Sequence, residues 1–334
     1  MITDARAFQQ EFVPQELYHR DGEIDALTST LQPLADGVAG GDAFIFGPSG
    51  TGKTTLARHV VELLQRENLT LTSTYLNAMS NSSRADAFRA LANDAGVAND
   101  LRRDGTPASA FADRLREIDG QVIAIVDEVH VLDDYRTLQS LWEMRNLTLL
   151  MVCLDEDRLF AEFDGQLQSR FGSARTIRLD RYSIEEMTAI LRGRVKAGLQ
   201  PGVIRDDTLR YIADLAAGDA RRGIALLRAS VEHAVDDERD EITADVVEAA
   251  KESARGAVRQ SRVRRLGTDK RLLYEIIRDA GDLDGGTLHA RYEDRAQDPV
   301  ARGTRRKYLA RLEEYDLIAS EGNGRGKTYA YPHQ

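Results

Sequence analysis

The stretch Gly47-Pro48-Ser49-Gly50-Thr51-Gly52-Lys53-Thr54 follows the apolar segment Ala43–Phe46 and precedes a run with helical periodicity. Glycines permit the tight turns that point backbone N–H groups inward at a phosphate chain, and the following helix presents its positive N-terminal end to the same anion. Lys53 supplies a positive charge for the β- and γ-phosphates, and the Thr54 hydroxyl ligates Mg²⁺. Together with the adjacent Thr55, these residues predict a site for ATP or ADP with Mg²⁺. A chance glycine-rich turn is disfavoured, because all eight positions match in a strand–loop–helix context.

A second motif ends an apolar segment about 70 residues further on. Val122–Val126 is continuously apolar, as is typical of a strand buried on both faces, and Asp127-Glu128 follows directly. At the carboxyl end of such a strand Asp127 can hold the Mg²⁺ shell, and Glu128 can polarise an attacking water. The alternative is a pair of acids that cap the next helix. Coming after a complete phosphate loop, the pair predicts an ATPase, or at least an ATP-binding switch.

Two further positions are candidates for sensing or completing the nucleotide site. Asp155 follows the predicted strand Leu147–Leu154, where many such ATPases have an asparagine that senses the γ-phosphate. A carboxylate there repels the phosphate unless Mg²⁺ or an arginine intervenes, so we expect altered sensing, slow hydrolysis, or a register one residue away. Arg170, in Ser169-Arg170-Phe171, is a candidate arginine finger for a neighbouring molecule's nucleotide, and a surface ion pair is the equally supported alternative.

The segment Gly218-Asp219-Ala220-Arg221-Arg222 predicts a helix start that faces an anion. Asp219 has the character of an N-cap, which puts both arginines in the first helical turn. Cations are disfavoured there by the helix dipole, so two of them indicate a nearby anion, and the γ-phosphate is the candidate. Pairing of one arginine with Asp219 or Asp214 is the alternative.

The pattern of elements divides the chain into three predicted domains. Residues 1–180 alternate strands and helices, as a parallel α/β sheet does; residues 181–254 are helical throughout; and residues 255–334 form a third domain. The predicted strands are Ala43–Phe46, Thr72–Leu76, Val122–Val126, Leu147–Leu154 and Thr176–Leu179. The predicted helices of the middle part are Ser183–Ala197, Asp206–Ala217, Ala220–Asp236 and Thr243–Ala254. Residues 255–268 are predicted to be a linker or a basic helix end.

The last part of the chain predicts a winged helix. Three helical patterns, the third over Thr304–Tyr315, precede a hairpin whose glycine-rich tip is Glu321–Lys327. In this order of elements the third helix enters the major groove and the hairpin lies over the DNA backbone or minor groove. The cations predicted to contact DNA are Arg305, Arg306, Lys307, Arg311, Arg325 and Lys327. A winged helix used for protein contacts is the alternative.

The charge is uneven along the chain. Residues 255–334 carry 17 cations and 12 anions, whereas residues 1–254 carry 28 and 43, within a net charge of −10. A basic end on an acidic protein is typical of nucleic-acid contact, although an Arg-rich solvated helix face gives the same signal. An excess of acidic residues, with arginine in place of most lysines, is typical of proteins from salt-rich cytoplasms. A high-GC genome also favours arginine and is the alternative explanation.

Cysteine content and hydropathy limit the classes of protein to which the chain can belong. The single cysteine, Cys153, excludes an intramolecular disulfide and a cysteine-cluster metal site. No apolar run has the roughly 20 residues of a membrane-spanning helix, and the start Met1–Arg6 has no signal-peptide pattern. We therefore expect a soluble, cytoplasmic protein without a membrane partner.

These motifs resemble the archaeal initiator proteins related to the origin recognition complex and the cell-division-control loader, within the AAA+ ATPases. The resemblance runs nearly end to end and is most specific at residues 218–222, followed by Leu226-Leu227-Arg228, which are similar to the family's sensor 2 helix. It implies that residues 181–254 form the lid, and that the segment before the loop lies against the adenine. It also implies a DNA-touching insertion after Leu76-Asn77 and near Arg103–Thr106. The residues assigned through it are Val13, Pro14, His19 and Arg20 for the nucleotide, and Arg102 and Arg103 for DNA.

The resemblance further implies binding to replication-origin repeats and recruitment of the minichromosome maintenance helicase. We also expect self-association on DNA and a place at the nucleoid. Two departures stand out: the chain is shorter than typical members, and the sensor 1 position is not asparagine. Two other functions fit the same parts. One is a Holliday-junction branch-migration motor, and the other is an ATP-dependent regulator of transcription or plasmid maintenance.

Overall fold

A five-stranded parallel sheet forms the centre of the first part of the chain. The structure is a computed structural model, and it describes residues 1–9, 12, 19–102, 105–322 and 326–332. The strands lie in the order β2-β3-β4-β1-β5, and every neighbouring pair is parallel. Their bounds are β1 Ala43–Phe46, β2 Thr72–Asn77, β3 Val122–Asp127, β4 Leu147–Cys153 and β5 Arg175–Arg178. Strands β1, β3 and β4 are buried along their whole length, which is why their sequences are predominantly apolar.

Seven α-helices accompany these strands in the described part of the chain. Helix α2 lays Leu56, Val60 and Leu64 into the core shared with β1, β3 and β4, so its first turn is fixed beside the end of β1. The helices are α1 Asp21–Leu31, α2 Lys53–Glu67, α3 Arg84–Asp94, α4 Ala108–Arg116, α5 Arg136–Trp142, α6 Glu156–Glu162 and α7 Gly165–Phe171.

Four further helices have a core of their own. They are α8 Ile184–Gly198, α9 Asp206–Ala216, α10 Ala220–Asp236 and α11 Ala244–Arg264. Helix α8 opens with a capping box in which Ser183 and Glu186 exchange hydrogen bonds. Helix α11 continues ten residues beyond the predicted end at residue 254, because Ala254 and Val258 extend its buried stripe at a spacing of four. The interpretation of residues 255–264 as a linker is therefore wrong, and the basic helix end is what forms.

The last part has the element order of a winged helix. Its elements are α12 Thr268–Ala280, β6 Asp282–Asp284, α13 Gly285–Arg295, α14 Arg302–Glu314, β7 Ala319–Glu321 and β8 Thr328–Ala330. The three short strands make an antiparallel sheet in the order β6-β8-β7. Strand β6 was not predicted, because three residues with one buried side chain, Leu283, are too short to show a period of two.

The predicted fold class is confirmed: a parallel α/β sheet, a helical part and a winged helix follow one another along the chain. The chain separates into two compact units, Met1–Val258 and Arg259–Gln334. The further division of the first unit at residue 180 stays a prediction. In the described residues no helix combines the length and apolar character needed to span a membrane.

Candidate nucleotide site

The phosphate loop turns between the end of β1 and the start of α2 at Lys53. Gly50 has a φ of +80°, a conformation that L side chains rarely adopt. A Cβ at this position would lie 1.9 Å from the Oδ1 of Asp219, which approaches from the helical part. Gly47 is equally restricted, because a Cβ there would lie 2.3 Å from the carbonyl oxygen of Leu179. Glycine is thus required by both the backbone and its neighbours.

The Lys53 ammonium lies within the loop. Its Nζ donates to the carbonyl oxygens of Gly47 at 2.6 Å and Pro48 at 2.8 Å, and the residue is buried. Burial lowers the pKa of Lys53, and the carboxylates of Glu128 and Asp127 oppose that shift. The charge is therefore held near the loop backbone, in the position from which it can reach a phosphate.

The Asp127 carboxylate accepts two hydroxyl hydrogen bonds on one oxygen. Its Oδ2 lies 3.0 Å from Thr54 Oγ1 and 2.8 Å from the Tyr75 hydroxyl. A carboxylate and a hydroxyl at this separation are hard oxygen donors of the kind that Mg²⁺ prefers, so the donor set fits that ion. Thr54 and Asp127 are the residues that would hold it. Tyr75, on β2, carries no motif signal in the sequence, and only the alignment of β2 beside β3 reveals it.

Glu128 has an unusual backbone conformation for its residue type. Its φ is +59°, and its side chain is largely buried at the carboxyl end of β3. The Oε2 of Glu128 lies 3.7 Å from Nε2 of His130, which is itself buried. The backbone and its neighbours therefore fix the side chain beside Asp127, where a water-polarising carboxylate is expected.

Helix α10 contacts the loop directly. Asp219 caps the helix by accepting from the backbone N–H groups of Arg221 and Arg222, and the N–H of Ala220 donates to the carbonyl oxygen of Gly50 at 3.0 Å. Nη1 of Arg221 donates to Ser49 Oγ at 3.1 Å. Arg222 instead lies 3.7 Å from the Asp219 carboxylate, which is the ion pair considered above for one of the two arginines.

The residues assigned to the adenine are only partly described. Val13 and Pro14 lie outside the described residues, and His19 is exposed with a φ of +60°. The Arg20 guanidinium is buried; it donates to the carbonyl oxygens of Thr51 at 3.3 Å and Asp180 at 3.0 Å, and lies 4.4 Å from the centre of the Tyr182 ring. Arg20 therefore braces the phosphate loop from outside, and its contact with adenine stays a prediction.

Asp155 has a capping role in the structure. It is exposed, and its side chain accepts from the backbone N–H of Arg158 at the start of α6. The last residue of β4 is Cys153, which pairs in register with Phe46 at the end of β1. The buried side chain at this strand end is thus a thiol, and sensing by Asp155 stays a prediction.

The Arg170 side chain contacts two residues of its own chain, Trp142 and Glu143. Its guanidinium lies 4.5 Å from the centre of the Trp142 ring, and Nη1 is 3.6 Å from the Glu143 carboxylate. This is the ion pair that was the alternative to an arginine finger. A role toward a neighbouring nucleotide stays a prediction.

The structure contradicts the exposure that a DNA contact by Arg305 requires. Arg305 is buried: its guanidinium donates to the carbonyl oxygen of His289 at 3.1 Å and to Glu293 at 2.6 Å, and stacks over Tyr292. The helical period turns this residue toward α13, and its long apolar stem and aromatic neighbour make burial possible.

The remaining predicted cations differ in their surroundings. Arg306 and Lys307 are exposed on α14, as is Arg302, which is not among the predicted cations. Arg311 pairs with Glu314 at 2.8 Å and is mostly covered, and Lys327 lies 3.0 Å from Glu313. Arg102 is exposed. Arg103 and Arg325 lie outside the described residues.

Comparisons with known proteins agree with this geometry. A model of the AAA domain matches residues 40–161, and a model of the Cdc6 AAA+ ATPase-type lid domain matches residues 188–252. ORC1-type DNA replication protein 9 of Halobacterium salinarum is 36% identical over 99% of this chain and 94% of its own length. ORC1-type DNA replication protein 1 of the same organism is 38% identical over 90% of this chain and 97% of its own length.

A solved structure agrees in fold. The Aeropyrum pernix ORC1 protein, determined in complex with DNA, has a TM-score of 0.75 at 22% identity, and the match covers 98% of this chain and 92% of that one. The sheet, the phosphate loop and the lid helices that meet it define an AAA+ ATPase with a nucleotide-binding domain. Within that class, the chain belongs to the ORC1-type DNA replication proteins.

Proposed function

We propose that this protein is an ATP-dependent replication initiator, which binds origin DNA and recruits the minichromosome maintenance helicase at the nucleoid in the cytoplasm. The single observation that carries the proposal is the bond between Arg221 on lid helix α10 and Ser49 in the phosphate loop. It joins the lid to the place where the nucleotide phosphates bind. The relatives' name, DNA replication protein, supports the biological role.

The nucleotide would set the position of the lid through Arg221. A γ-phosphate beside the loop gives this guanidinium a charged partner stronger than the Ser49 hydroxyl, and ADP lacks that partner. A ligand shifts a conformational equilibrium only by its differential affinity for the two states, and the Arg221 contact supplies such a difference. ATP and ADP would therefore favour different lid positions.

Hydrolysis would use the acids at the end of β3. Mg²⁺, held by Thr54 and Asp127, would neutralise charge on the transferred phosphate. Glu128 lies one residue further and would take the proton of the attacking water. Asp155 caps α6 and brings a carboxylate where related ATPases have an amide, so we propose slow turnover. Slow hydrolysis suits a protein in which each ATP hydrolysed returns the DNA-bound molecule to its starting state.

DNA binding would use the winged helix. Arg302, Arg306 and Lys307 are exposed on α14, the third helix of the unit, which in such domains enters the major groove. The A. pernix ORC1 structure contains DNA, which supports a DNA-binding role for this fold. The segment around Arg102 would add a second contact, and several molecules would bind neighbouring repeats.

The test is genomic footprinting of the purified protein with ATP and with ADP, repeated for Arg221→Ala and for Arg222→Ala as the matched control. We expect a few protected sites at replication origins, with protection that depends on the nucleotide in the wild type and Arg222→Ala but not in Arg221→Ala. Added helicase should co-sediment with origin DNA only when the protein is present. Protection at promoters would indicate the transcriptional regulator instead, and uniform binding would contradict origin recognition.

A further inference from the structure

A buried row of three side chains lies at the carboxyl ends of β3 and β4. Cys153 is the last residue of β4, and its Sγ is 3.5 Å from Nδ1 of His130. Nε2 of the same ring is 3.7 Å from Oε2 of Glu128. The imidazole therefore stands between a thiol and a carboxylate, with one ring nitrogen facing each. All three residues are buried.

The protonation pattern of this row follows from its two ends. Burial raises the pKa of the Cys153 thiol to about 11, so it keeps its proton at neutral pH. That thiol can donate to Nδ1, although the carbonyl oxygen of Asp155, 3.6 Å from Sγ, is a second acceptor. The Glu128 carboxylate at the other end favours a proton on Nε2. The Glu128 end, together with a thiol that donates to Nδ1, favours the neutral tautomer with Nε2–H directed at Glu128.

We propose that His130 is a positioning residue for Glu128, and that Cys153 fixes the tautomer of His130. This inference rests on the hydrolysis proposed above, in which Glu128 takes the proton of the attacking water. At 3.7 Å from Oε2, a proton on Nε2 attracts the carboxylate electrostatically from one side, which leaves its other oxygen to meet the water. The strained backbone of Glu128, with φ at +59°, places the side chain, and His130 selects its rotamer.

Two amide substitutions separate positioning from mere packing. The glutamine amide nitrogen reaches about as far as Nε2, whereas the asparagine amide nitrogen overlays Nδ1. His130→Gln keeps a donor toward Glu128, and His130→Asn loses it while remaining polar. We expect His130→Asn to lower kcat by about 100-fold with KM and ATP affinity unchanged, because a misplacement of the Glu128 carboxylate by about 1 Å costs that much. We expect His130→Gln to retain most of the wild-type rate. Equal losses in both variants, or a change confined to KM, would overturn the proposal.

A second measurement does not depend on turnover. In nitrogen NMR of the histidine-labelled full chain, the His130 ring is identified among six histidines by its loss in His130→Gln. We expect a proton on Nε2 and none on Nδ1, with Cys153→Ser preserving this pattern and Cys153→Ala disturbing it. An Nδ1–H tautomer or a doubly protonated ring would overturn the proposal. If the wild type fails to hydrolyse ATP while the expected tautomer is seen, the proposed hydrolysis fails and the positioning geometry stands.

Discussion

At the scale of single residues, Lys53 is the side chain on which nucleotide binding depends most directly. A lysine at the end of a loop is expected to face solvent, but Lys53 is buried, and its ammonium donates to two carbonyl oxygens of the loop. We expect Lys53→Ala to weaken ATP binding by about 10- to 150-fold, since a hydrogen bond to a charged group contributes about 1.5–3 kcal/mol. Fluorescent-nucleotide titration measures this change. Lys196→Ala, an exposed lysine on α8, is the control, and unchanged affinity in Lys53→Ala would contradict the loop assignment.

Glu128 is the residue on which hydrolysis depends. Replacing its carboxylate with an amide removes the proton acceptor but keeps the size of the side chain, so Glu128→Gln should bind ATP normally. Its turnover should fall by about 100- to 10,000-fold, the usual contribution of a general base. Phosphate release under single-turnover conditions measures this rate, and Glu117→Gln, an exposed glutamate at the end of α4, should match the wild type. Equal rates in wild type and Glu128→Gln would show that another group is the base.

At the scale of elements, the contact between the phosphate loop and α10 depends on the glycine at position 50. Gly50→Ala and Gly37→Ala impose the same penalty of about 1–2 kcal/mol, because both positions have φ near +80°. A Cβ at Gly37 meets nothing within 4 Å, whereas at Gly50 it meets the Asp219 carboxylate. We therefore expect Gly50→Ala to lose nucleotide affinity as well as stability, and Gly37→Ala to lose stability alone. Nucleotide titration beside thermal unfolding separates these two effects.

Neighbouring arginines on α14 should behave differently. Arg305→Ala leaves the carbonyl of His289 and the Glu293 carboxylate without their guanidinium, so we expect a loss of about 1–3 kcal/mol in unfolding free energy. Arg306→Ala removes an exposed side chain and should leave stability within about 0.5 kcal/mol while weakening duplex binding. Denaturant unfolding and duplex titration of both variants measure the difference. Equal effects of the two variants on DNA affinity, with stability unchanged, would contradict the burial of Arg305.

At the scale of the whole molecule, a net charge of −10 contains a local excess of cations in residues 255–334. Concentrated salt reduces the free energy that DNA binding gains from counterion release. Contacts to DNA phosphates alone therefore give weak affinity at high salt. Lys307 is exposed on α14, and its removal should lower the slope of log affinity against log salt by about one for all sequences alike. A salt series of duplex affinities measures the slope, with nucleotide affinity as the internal control. An unchanged slope would place Lys307 away from phosphate.

The sequence by itself determined the fold class and predicted the residues of the nucleotide site. Apolar strands, the eight-residue loop and the Asp127-Glu128 pair are each formed by residues that are neighbours along the chain. They can therefore be recognised from the sequence without the tertiary structure. The sequence also indicated that an arginine in the first turn of α10 faces an anion, since a cation there conflicts with the dipole, but only the structure distinguished Arg221, which donates to Ser49, from Arg222.

Only the tertiary structure decided which side chains meet across elements. Tyr75 and Cys153 reach the site because β2 and β4 flank β3, and no spacing in the sequence encodes that order. Arg305 looked like a DNA contact because charge predicts exposure, but packing against Tyr292 and His289 buries it. Arg194 is a similar case, with its guanidinium on the carbonyl oxygens of Ala7, Gln9 and Phe12. Such contacts join residues distant along the chain, and the packing of separate elements, rather than any local preference, brings them together.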